Sequence, residues 1–245
     1  MQASVALPGY ERLAGTIPVV HPPRLREKAR GLFVLLKDGA EALSGILEIE
    51  PPELEALLVA EENWSEAPRE GRRAYPRGLP YFTRSVRPPA LVLPEELTPA
   101  IRPRTPATWP LVVWHELAHA FLLRGEVVRV PAWLGELIPQ AASAAIGLKK
   151  GLPLEEHLSG VDRSPGFTVR SFGGRAGAET QMAFQNLLLL LGAAAVEKFG
   201  VGFLARLFRA LWEEKEIVGE GRAEEILSDA LGSGGWEWLR SRPEF

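Results

Sequence analysis

WHELAHAF, residues 114–121, places two histidines four positions apart and a glutamate directly after the first, between apolar flanks. On a helix, positions i and i+4 lie on one face about one turn apart. His115 and His119 therefore point the same way, and their ring nitrogens can converge on one ion at about 2.0–2.1 Å. Glu116 is rotated by about 100° from His115. That takes it out of the ligand set but leaves it able to reach a water at the ion, the general-base position of an H-E-x-x-H signature. A catalytic zinc site needs a third protein ligand and an open position. Downstream, VPAWLGELIPQ (130–140) supplies Glu136 early in a second helix. A helix that returns after a short turn packs antiparallel to the first, so a residue near its start can face it. Carboxylate oxygen with two imidazoles suits Zn²⁺. The bland alternative is a non-metal helical domain whose two histidines are hydrogen-bonded core residues.

The rest of the chain narrows the choice of ligands. It has 245 residues, 46% hydrophobic and 24% charged, with a formal net charge of −3. This is globular composition, and without a Lys/Arg block a nucleic-acid partner is not expected. There is no cysteine, which excludes disulfides and thiolate metal sites, and only four histidines: His21, His115, His119 and His157. MQASVALPGYERLAG lacks the basic start and apolar core of a signal peptide. NLLLLLGAAAV (186–196) reads as a buried helix rather than a membrane span. The expectation is a soluble cytoplasmic protein with no membrane partner. Arg greatly outnumbers Lys among 21 Pro and 2 Met, which fits a heat-adapted source.

Outward from the motif, the periodicity predicts an α+β chain. IPVVH (17–21) reads as an edge strand. Leu25 to Leu47 reads as an amphipathic helix, loosened or broken near Gly39 and stopped by Pro51-Pro52. LEALLVAEE (54–62) is ambiguous between helix and strand. YFTRSV (81–86) and ALVL (90–93) are strand candidates between prolines, next to a polar loop over 65–78. Then come helices: from a Thr108 cap to Arg124, stopping at Gly125; from Pro131 to Ile146, ending at Gly147; from Ala178 to Phe199; GVGFLARLFRALWEEK; and AEEILSDAL. One domain is expected over 1–245, with an α/β lobe (1–125) ending in the HELAH helix and a helical lobe (126–245) carrying the third ligand.

HELAH followed by sixteen residues and the Glu of PAWLGE resembles the gluzincin zinc metallopeptidases, of the peptidase MA-like type. Looser likenesses extend over most of the chain, in TIPVVH, PPELEALLVAEENW, EKFG (197–200) and DALG (229–232). The resemblance implies a zincin-like fold, zinc held by His115, His119 and Glu136, and Glu116 as the base that activates water. It implies a peptide or protein substrate, paired along an edge strand for which YFTRSV or ALVL is the candidate. Two differences from the family pattern stand out. Leu137 and Pro139 follow the third ligand, and QMAFQ (181–185) carries no tyrosine where relatives place an oxyanion-steadying Tyr. A zinc-binding domain without turnover, serving as scaffold or regulator, is the alternative.

Several further residues carry a sharp reading beside a plain one. His157 is a candidate catalytic residue as oxyanion donor, or an exposed loop histidine. Tyr81 can reach the cleft or pack. Gln140, one turn after Glu136, can orient a ligand histidine or lie at the surface. Arg170 and Arg175 can hold a substrate carboxylate or be solvated. Trp114 and Trp133 are expected to wall the site, Asp162 to make a turn, and the tail WEWLRSRPEF to be able to fold over the cleft.

Overall fold

The computed structural model describes residues 7–71, 76–101, 105–123, 129–172 and 177–245. The chain is α+β, with a five-stranded mixed sheet and a helical majority. The strands are β1 (Glu11–Leu13), β2 (Val19–His21), β3 (Glu55–Val59), β4 (Tyr81–Thr83) and β5 (Ala90–Pro94), in the order β1-β2-β3-β5-β4. The inner pairs β2/β3 and β3/β5 are parallel, and the outer pairs β1/β2 and β4/β5 are antiparallel. β3 and β5 are buried along their whole length, as parallel strands covered on both faces must be. This resolves ALLVA as strand. It also corrects the edge expectation for IPVVH, because β1 covers β2; ERL is too short and polar to advertise a strand. ALVL is likewise internal, so of the two substrate-edge candidates only YFTRSV, as β4, lies at an edge of the sheet.

Helix α1 (Arg26–Leu47) crosses from β2 to its parallel neighbour β3. Ala29, Leu32, Leu36, Ala40, Leu43 and Leu47 are buried along one stripe, the periodicity of a core-facing helix. The helix is unbroken at Gly39, contrary to expectation. That glycine serves packing: a Cβ there would lie 2.5 Å from Cδ1 of Trp114. One sheet face joins α1 and the later helices in the main core through Ala56, Leu58, Leu91 and Leu93. The other is capped by Trp64 and Tyr81 over Val20, Leu57, Val59 and Val92.

The helical half follows: α2 (Thr108–Leu122), α3 (Ala132–Lys149), α4 (Leu154–Ser159), α5 (Ala178–Phe199), α6 (Gly202–Glu213), α7 (Glu220–Leu231) and α8 (Gly235–Arg240). Thr108 lies inside the first turn of α2 and does not cap it; the N-cap position is Ala107, with no side-chain bond. Arg124 and Gly125, the expected end of that helix, fall outside the described residues. α3 runs three residues past the expected Ile146, through Gly147 and with Pro139 in its interior. α4 was expected as loop, and α8 as part of a loose tail. Both are short, beginning after a proline and a left-handed glycine respectively, so neither builds a long periodic pattern. α5 is, among the described helices, the one long and apolar enough to cross a membrane. Its Leu187–Leu191 run, Ala193, Ala195 and Val196 are buried within the protein.

Candidate metal centre

α2 carries His115, Glu116 and His119, and α3 carries Glu136. The two helices meet through one apolar interface. Leu117, Ala118 and Phe121 on α2 and Leu134, Leu137, Ile138 and Ala141 on α3 are buried in the same core. Burial of those side chains drives the pairing, and the leftover face of each helix turns its ionisable groups toward the other. Pro131 sits at the N-cap of α3 in extended conformation, which starts the helix one turn before Glu136.

Three ligand atoms come together there. His115 Nε2 lies 3.1 Å from His119 Nε2. Glu136 Oε2 lies 3.3 Å from His115 Nε2 and 3.7 Å from His119 Nε2. A tetrahedral ion with arms of 2.0–2.1 Å spaces its ligand atoms by about 3.3–3.4 Å, and the three edges bracket that value. The group is close enough to bind a metal ion. Two imidazoles and a carboxylate are donors for a borderline transition ion, whereas calcium and magnesium prefer all-oxygen sets. The imidazole planes cross at 82°. One feature runs against the usual pattern for metal-bound histidine, whose outer nitrogen is normally tied to a carboxylate or carbonyl: the buried Nδ1 of His115 has no hydrogen-bond partner among the described residues.

The charges of the cluster are strongly coupled. Burial works to raise the Glu136 carboxyl pKa, but His119 and His115 outweigh it and hold the group well below the ordinary carboxylate range. Burial works to lower the His119 pKa, and Glu136 with Glu116 reverses it into a net rise. Glu116, only 8% exposed, is pushed up, first by burial and further by the Glu136 charge. The backbone of Phe82 on β4 faces this carboxylate and opposes a small part of the rise. The edge strand thus comes up to the residue beside His115.

These groups open into a cleft of about 350 Å³. Leu79, Pro80 and Phe82 line one side, and Leu111, Val112 and Leu189 add apolar wall. His157 on α4 also lines it, with Nδ1 2.9 Å from the Thr105 hydroxyl. So His157 shares the cavity with the metal cluster rather than standing in an exposed loop.

Other expectations fare differently. Trp114 and Trp133 do not wall the cleft. Trp114 points the other way, its indole N–H donating to the Leu35 carbonyl at 2.9 Å. One residue from a ligand on a helix means about 100° away from it. Trp133 donates to Glu220 at 2.7 Å and packs edge-on against Phe245. The tail follows Phe245 to this far side: Glu244 is fully buried, with its carbonyl accepting from Val169 N–H at 2.9 Å. It does not close over the cleft. Arg170 is paired with Glu224 and stacks on Phe245, so it holds the tail rather than a ligand; Arg175 lies outside the described residues. Tyr81 does both, lining the cleft and packing with its hydroxyl donating to the Pro68 carbonyl at 3.0 Å. Asp162 makes a turn, accepting from Ser164 N–H at 2.9 Å.

Gln140 does reach the centre, though through a residue that the sequence reading passed over. Its amide donates to Gln185 Oε1 at 2.7 Å, and Gln185 Nε2 donates to Glu136 Oε2 at 2.9 Å. In sequence Gln185 shows only as one of several polar residues in the first two turns of α5, just before the apolar run 187–191. No protein-family model and no curated protein matches the chain, so the reading of this centre stands on its own residues.

Proposed function

We propose that this chain is a zinc-dependent peptidase of the gluzincin type, with a zincin-like fold. The observation that carries the reading is the triangle of His115 Nε2, His119 Nε2 and Glu136 Oε2, with edges of 3.1, 3.3 and 3.7 Å, beside a buried carboxylate that is not part of it. When bound, zinc supplies an acidified water and a Lewis acid for the scissile carbonyl. Glu116 takes the proton from the attacking water and returns it to the leaving amine. Its buried setting favours that cycle, because a raised carboxyl pKa narrows the gap between the base and the groups it serves. An extended peptide pairs along the outer side of β4, beside Phe82. In the tautomer whose Nδ1 accepts from the Thr105 hydroxyl, His157 carries its proton on Nε2 and serves as donor to the carbonyl oxygen as it gains charge.

A second reading, a zinc-binding scaffold or regulator without turnover, is favoured by QMAFQ (181–185), which carries no tyrosine to steady an oxyanion. Metal analysis and one substitution separate the cases. The purified chain should hold about one zinc. Glu116→Gln should retain it while cleavage of casein or a peptide library falls by about 10²–10⁴-fold. Zinc with equal inertness of wild type and variant leaves the scaffold reading; no zinc at all ends both.

A further inference from the structure

The relay behind Glu136 has a direction fixed by chemistry. An ionised carboxylate only accepts hydrogen bonds, whereas a side-chain amide has one accepting and one donating end. Gln185 must therefore turn its NH₂ to Glu136, which leaves its oxygen for the NH₂ of Gln140, as the 2.9 Å and 2.7 Å contacts show. The Glu136 oxygen that accepts from Gln185 is Oε2, the same atom that closes the triangle with the two imidazoles. α5 is pressed on α3 at this level of the core. A Cβ on Gly192 would come within 2.8 Å of the Ala141 backbone, so the two helices meet almost backbone to backbone. Gln185 thus stands on an element with little room to shift.

We propose that Gln185, itself held by Gln140, is the positioning residue that fixes Glu136 so that Oε2 alone enters the ligand triangle. The inference rests on the metal reading given above. Without the amide, the carboxylate is free to rotate and offer either oxygen or both. The centre then loses affinity and its three-ligand form. Gln140 acts only through Gln185, so its effect vanishes once Gln185 is gone.

The test is zinc affinity, measured by competition with a chromophoric chelator, for wild type, Gln185→Leu, Gln140→Leu and the double variant. Visible spectra of the cobalt-substituted proteins report coordination number, and circular dichroism of the metal-free proteins reports folding. Gln185→Leu should bind zinc about 10–100-fold more weakly, and its cobalt spectrum should lose the intensity of a four-coordinate centre. Gln140→Leu should weaken binding less, and the double variant should match Gln185→Leu alone, the non-additivity of a shared chain of contacts. Wild-type affinity and spectrum in a folded Gln185→Leu overturn the proposal while leaving the metal site intact. Additive losses in the double variant overturn the relay. If Gln185→Leu does not fold, the Gln140→Leu affinity decides: no loss there refutes the relay. Wild type that takes up no zinc refutes instead the metal reading underneath.

Discussion

α6 and α2 are both short helices packed into one core, and they treat polar side chains in opposite ways. α6 buries Phe203, Leu204, Leu207, Phe208 and Leu211, and turns Arg209 outward to pair with Glu48 at 2.7 Å. α2 is buried on nearly every side, and His115 and Glu116 are among its buried residues. Burying ionisable groups costs free energy unless partners offset it. A helix that only covers a core sorts its residues by face. A helix that keeps such groups inside must give them partners, and His115, His119, Glu116 and Glu136 act on one another here.

That contrast can be broken at three places. The largest effect is expected from His119→Ala on α2. It removes one corner of the ligand triangle, and metal analysis should find the bound zinc gone; full retention would show that the ligand set is wrong. Next comes Phe208→Ala on α6, where a fully enclosed ring is replaced by a cavity. Denaturant unfolding should show a loss of about 3–5 kcal/mol, with zinc affinity of the folded protein unchanged. A parallel drop in affinity would mean that α6 is not merely a cover. The smallest effect is expected from Gly39→Ala on α1. The added methyl collides with Trp114 and Leu117, which should cost about 1–3 kcal/mol. Because Trp114 is on α2, zinc binding should weaken as well. An unaltered affinity would show that α2 absorbs the push without moving its histidines.

The parts of the molecule legible in the sequence are those written in period or in chemistry. α5 and α6 follow from apolar spacing beside glycine, and the meeting of His115, His119 and Glu136 from residue type and helical geometry. What stayed hidden depends on contacts between segments far apart in the chain. Gly39 resembles a helix breaker until Trp114 is seen lying on it. Trp114 adjoins His115 in sequence yet faces Leu35, since adjacent helical residues diverge, and Trp133 is drawn to Glu220 on a distant helix. Gln185 bears on Glu136 across 49 positions, and no local pattern announces that. β1 escaped because three residues with a polar centre carry little strand signal, and its presence turned an expected edge into an inner strand.

The approach of the Phe82 backbone to Glu116 has one more consequence. It joins the proposed proton carrier to the same strand margin along which an incoming chain would lie. Docking and proton transfer would then not be independent events: a polypeptide aligned on β4 would reset the surroundings of the carboxylate as it arrives. Peptides too short to lie along that margin would be turned over slowly even when they reach the ion.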